Sequence, residues 1–180
     1  MMRMRDIGKT APPVPARLYP LSVRGTQLAA GFPSMNRQPP GRRADYRWFH
    51  PITTRWMDND VFRHVNNVNY FSFFDTAVTY YEMTEGVVDL LEGPVHCVVA
   101  EVMCRYHSSV AFPDRIAVGI RVARVGASSV RYEIGVFRND DDEAAAEGYF
   151  VHVFVDRATQ RPAPVPEASR EVLRTIAATT

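Results

Sequence analysis

The ten residues from Asp58 to Asn67 hold two carboxylates, one imidazole and two adjacent carboxamides: Asp58, Asp60, His64, Asn66 and Asn67. An unperturbed Asp ionises at about pH 3.9, so at neutral pH either carboxylate can attack an electrophile or take a proton from water. The helical pattern that begins directly afterwards supplies the other half of a reaction centre. Unpaired N–H groups at a helix start, with the positive end of the helix dipole, suit negative charge that develops on a carbonyl oxygen. Each of these residues also has a structural reading. An Asp just ahead of a helix often only closes a turn, and Asn is a common helix cap. Asp58 is read as a loop acceptor. Asn66 and Asn67 either cap and brace the loop or touch substrate, and His64 either positions a substrate or ties the loop together. His50, His96, His107 and His152 are scattered without metal-ligand spacing, so no metal site is expected, and no motif calls for a cofactor.

These groups need elements to hold them. Tyr46, Trp48 and Phe49 lead through Ile52 to Trp56, a β-rich aromatic stretch that predicts the first strand. After the polar loop, Asn66 or Asn67 can cap a helix from Val68 to Glu85, which Gly86 would stop. Phe71, Phe74, Val78 and Tyr81 form one apolar stripe on it, and Phe73, Ala77 and Tyr80 a second. Apolar groups on so much of the circumference predict a largely enclosed helix. Val95 to Tyr106 is again β-rich. Alternation then marks 116–122, 130–136 and 149–155, each with one face buried, as in an antiparallel sheet. Val172, Leu173 and Ile176 predict a short closing helix. One strand, a long helix and four more strands give an α+β fold in which the sheet curls around the helix.

At 180 residues and a net charge of +1, one domain without the overall basic excess of a nucleic-acid binder is expected. No apolar run reaches the roughly 18 residues a membrane span needs. Cys97 and Cys104 lie seven apart in one strand, which by simple alternation puts them on opposite faces, and they are read as free thiols in a reducing cytoplasm. Residues 1–44 carry eight basic residues against the single acid Asp6 and are rich in proline. They read as a disordered tail, with a basic arm or an organelle-targeting presequence as the alternative. The domain is expected over 45–160 and a separate C-terminal segment over 161–180.

The string Asp58-Asn-Asp60, then His64-Val-Asn-Asn67 and Tyr70 ahead of an aromatic helix, resembles the 4-hydroxybenzoyl-CoA thioesterase-like branch of the hotdog-fold superfamily. Tyr106 and the Phe112-Pro-Asp114 turn are similar to the Tyr and following turn of that family, with Pro113 in place of its usual Gly. The resemblance implies a hotdog fold with its active site between subunits of a homodimer or homotetramer. It also implies hydrolysis of an acyl-CoA or acyl-carrier-protein thioester. By the same resemblance Asp60 is the catalytic carboxylate and the Asn67 backbone N–H polarises the thioester carbonyl; His64, read from its place in the loop, is the third catalytic candidate. Asn66, Tyr70 and Phe74 would meet the substrate. Plant acyl-carrier-protein thioesterases are similar in this loop, but Phe62 stands where they have Asn, so a mechanism using that Asn does not carry over. Thiolate leaves readily, and no metal is demanded. Two rivals remain: a hotdog protein that binds an acyl thioester without cleaving it, and a hotdog hydratase or dehydratase. Arg121, Arg124 and Arg131 could meet the phosphates of coenzyme A or be ordinary exposed strand residues.

Overall fold

A computed structural model describes residues 38–178. The long helix α1, Asn67–Thr84, is bounded by its own sequence signals. Asn66 caps it, accepting from the Val68 N–H at 3.1 Å, and Gly86 follows it at φ 76°, a left-handed conformation that favours glycine. Phe73, Phe74, Ala77, Val78 and Tyr81 of α1 are all buried. Ser72, Asp75, Thr76 and Met83 form a solvent face instead, so within this chain the helix is less enclosed than its aromatic stripes predict.

The sheet has five antiparallel strands: β1 (Trp48–Thr53), β2 (Val95–Tyr106), β3 (Arg115–Val125), β4 (Ser129–Arg138) and β5 (Ala146–Asp156). Their order in the sheet is β1-β3-β4-β5-β2. Alternation holds where the sequence shows it: Ile116, Val118, Ile120, Val130, Tyr132, Ile134 and Val136 are 2% exposed or less and join the aromatic face of α1 in one core. Each such side chain contributes roughly 1.5–3 kcal/mol by leaving water. The sheet curls around α1. Gly148 lets α1 come close, since a Cβ there would stand 2.6 Å from the Phe74 ring.

Three expectations need correction. The first strand ends at Thr53, and Trp56–Asp58 is a 3-10 turn that starts the active loop. In β2 the register slips by one residue between Val99 and Glu101. Cys97 and Cys104 therefore pair with Phe154 and Gly148, six apart on β5, which puts both thiols on the same face, against the core. They stay free because six strand positions separate them by about 20 Å. Finally, 39–44 does not belong with the tail. Gly41 donates to Glu147 at 3.0 Å, and Arg43 donates from its backbone to Asp142 at 3.0 Å. The compact unit runs Pro39–Thr180 and includes the C-terminal helix α2, Glu167–Thr175, whose Leu173 is fully buried. The tail expectation for 1–37 falls outside the described residues.

Candidate active site

Asp58 organises the loop. It is 1% exposed and accepts from the Arg55 N–H at 2.6 Å and from the Arg55 guanidinium at 2.7 and 3.1 Å. Burial pushes its carboxyl up, but the Arg55 guanidinium, backbone N–H and charge together outweigh that and hold it below the usual carboxylate range. Its own carbonyl accepts from the Asn66 N–H at 2.8 Å and the Asn69 side chain at 2.9 Å, so the start of α1 is fastened to the loop.

The second half of the loop turns on Asp60. Its N–H donates to the His64 carbonyl, its carbonyl accepts from the Arg63 N–H, and Arg63 sits at φ 65°. One carboxylate oxygen accepts from the Phe62 N–H at 2.8 Å. Asp60 is half-buried and forms no ion pair among the described residues. The loop is braced by a distant turn: Asn59 accepts from the Phe112 N–H at 3.0 Å, Val65 donates to the Val110 carbonyl, and Thr54 donates to the Asp114 carbonyl at 2.6 Å. The two sequence signals on either side of the chain, around Asp58 and around Phe112, thus meet in space.

At the helix start the backbone donors are nearly all spent. The Asn66 N–H goes to Asp58, the Val68 N–H to the Asn66 side chain and the Asn69 N–H to the Asn66 carbonyl. The Asn67 N–H has no acceptor among the described residues. The Tyr106 hydroxyl donates to the Asn67 carbonyl at 3.2 Å and so holds the next peptide, between Asn67 and Val68.

A cleft of about 250 Å³ opens at that point, lined by His64, Asn67, Tyr70, Tyr106, His107 and Ser109 among others. Burial raises the pKa of Tyr70, and burial together with Cys104 pushes Tyr106 up to about 12, so both phenols are neutral hydrogen-bonding groups at physiological pH. The structure therefore brings His64, Asn67 and Tyr70 to one cleft and leaves Asp60 on the loop beside it. Asn66 acts as the helix cap. Phe74 is fully buried in the core, packed on Phe71 and Phe150, and is not among the residues that line this cleft.

Sequence reasoning missed His107. Its Nε2 lies 2.9 Å from the Glu147 carboxylate, which Tyr46 and Gly41 also hold. A carboxylate behind an imidazole fixes the ring in the cleft wall. The two residues are 40 apart in sequence and meet only because the end of β2 pairs with the start of β5. Of the three arginines weighed against coenzyme A, Arg121 is engaged with Glu133 at 2.7 Å. Arg131 stacks on the Tyr149 ring, and with Arg124 it lines a separate surface cavity.

Residues 54–173 match the model of the thioesterase-like superfamily. The structure is similar to the PA5185 protein of Pseudomonas aeruginosa, with 46% identity and a TM-score of 0.76 over 79% of this chain and 99% of that one. It is also similar to a Thermus thermophilus thioesterase solved with coenzyme A and Zn, with 34% identity and a TM-score of 0.63 over 73% and 95%. Against Slr0204, a 1,4-dihydroxy-2-naphthoyl-CoA thioesterase from Synechocystis, the TM-score is 0.63 over 70% and 94% at 12% identity, a likeness of fold alone. A sheet curled on one long helix, a polar loop fastened to that helix and a matching family model agree: the chain belongs to the thioesterase-like superfamily and is a hotdog-fold thioester hydrolase.

Proposed function

We propose that the protein is an acyl-CoA thioesterase that cleaves an acyl-CoA to a carboxylic acid and free coenzyme A. The observation that carries this is the unspent Asn67 N–H at the head of an 18-residue helix whose neighbouring donors are all engaged. A thioester carbonyl placed there would receive the growing charge on its oxygen, a contribution of about 3–4 kcal/mol for one such donor. Asp60 attacks the carbonyl carbon or activates a water, His64 and Tyr70 border the acyl group, and the thiolate leaves without a metal. The coenzyme A complex of the Thermus relative supports the carrier, with an acyl carrier protein as the other candidate.

The cleft in one chain is shallow, and the residues around it favour a second copy. Trp56, Met57, Val61 and Phe62 of the loop are each more than 70% exposed, and the edge strand β2 shows Val98, Val99 and Val102 to solvent. Such an edge is a pairing surface, so a homodimer or a homotetramer built from it would cover the patch and deepen the site. Two free thiols fit the reducing cytoplasm.

The test follows thiol release from acyl-CoAs of graded length and aromaticity. In Asp60→Asn the side-chain oxygen can still accept from the Phe62 N–H, so the turn persists and only the charge is lost. Turnover should fall about 10²–10⁴-fold, the usual worth of a positioned base. Release within about threefold of wild type removes Asp60 from the chemistry. Acyl-CoA binding without release by the wild type favours the non-catalytic binder.

A further inference from the structure

A second polar cluster lies at the far end of α1 from the cleft, inside the core. Glu82 of α1 is 2% exposed. Its Oε1 lies 2.8 Å from Nδ1 of His152 on β5 and accepts from the Tyr132 hydroxyl of β4 at 3.1 Å. Ligand atoms of Glu82, Cys97 and His152 all lie within 4.8 Å of one another.

We propose that Glu82, Cys97 and His152 form a structural site for a divalent transition-metal ion of the zinc class, with the Tyr132 hydroxyl holding the carboxylate in place. The donor chemistry selects that class. A thiol and an imidazole together suit Zn²⁺ or Co²⁺, whereas Ca²⁺ and Mg²⁺ take oxygen. Charge argues the same way. A carboxylate removed from water costs several kcal/mol unless it is compensated, and among the described residues Glu82 meets no Arg or Lys, only His152 and the Tyr132 hydroxyl. A 2+ ion with Glu82 and a Cys97 thiolate sums to zero. Bonds of about 2.0–2.3 Å need the three donor atoms to shift by roughly 1 Å or less from their present spacing. As the metal–sulfur bond forms, the Cys97 proton leaves to solvent, so affinity falls in acid. The ion would pin the edge strand β2 to α1 and β5. The proposal is independent of the thioesterase cleft.

The test uses Co²⁺ as probe on the full chain after dialysis against a chelator. We expect one tightly held Co²⁺ per chain and a near-ultraviolet sulfur-to-cobalt charge-transfer band. Cys97→Ser should abolish that band, and Cys104→Ser should keep it. Tyr132→Phe leaves all three ligands and should weaken Co²⁺ by about 10–100-fold, the cost of losing such an outer partner. Near-ultraviolet circular dichroism of the metal-free variants separates a lost ligand from a lost fold. A wild type that takes up no stoichiometric Co²⁺, or a band that persists in Cys97→Ser, overturns the proposal and leaves the cluster a hydrogen-bond network only.

Discussion

Replacing Asp58 by Asn should loosen the start of the active loop, because the buried carboxylate holds Arg55, while the Asp58 backbone carbonyl, which the change leaves in place, holds the start of α1. The change is nearly isosteric. An Asn oxygen can still accept from the Arg55 N–H, now as a neutral acceptor, but its NH₂ must face the Arg55 guanidinium, donor against donor. Hydrogen bonds to charged groups are worth about 1.5–3 kcal/mol. The Arg55 side chain is 65% exposed, which lowers the value of the fork to roughly 0.5–1 kcal/mol. Weakening the buried backbone bond adds about 1 kcal/mol. The net expectation is a loss of roughly 2 kcal/mol in urea unfolding at neutral pH, with an unchanged m-value. The pH dependence follows from the same contacts. The folded-state pKa of Asp58 lies below its unfolded value of about 3.9, so the carboxylate stabilises fully above that pH and loses its contribution as pH falls through the lower folded value. The gap between wild type and Asp58→Asn should therefore narrow from neutral pH to about pH 3. A difference below about 0.5 kcal/mol at pH 7, the level of an ordinary surface change, would refute the idea that Asp58 anchors the loop.

Two further outcomes follow from contacts on either side of the cleft. Gly148→Ala drives a Cβ into the Met103 carbonyl and to 2.6 Å from the Phe74 ring, so thermal unfolding should show a destabilisation of roughly 1–3 kcal/mol or above, and a neutral result would mean that α1 can back away from the sheet. Tyr106→Phe removes the hydroxyl that holds the Asn67 carbonyl, one peptide beyond the unspent N–H; urea unfolding should show a loss of about 0.5–1.5 kcal/mol, with kcat falling by less than about 10-fold.

The sequence by itself determined the elements and their order. Cap, aromatic stripe and stop glycine delimit α1 to within a residue at each end, and strict alternation in 116–122 and 130–136 marks strands with one buried face, because both signals are local and period-bound. It also located the loop that carries the candidate chemistry, through residue types at fixed spacing. What it missed depended on pairing across the sheet. The one-residue slip in β2 reverses the side on which Cys104 stands relative to Cys97, and no local pattern announces it. His107 acquires Glu147, and Glu82 acquires Tyr132, His152 and Cys97, only once strands far apart in sequence lie side by side. The aromatic stripe shows the same limit: it marks Phe74 as apolar and helical, but only the close approach of α1 to Gly148 places that ring in the core and away from the cleft. Periodicity records which face of an element is apolar; which groups meet across the core is set by tertiary packing.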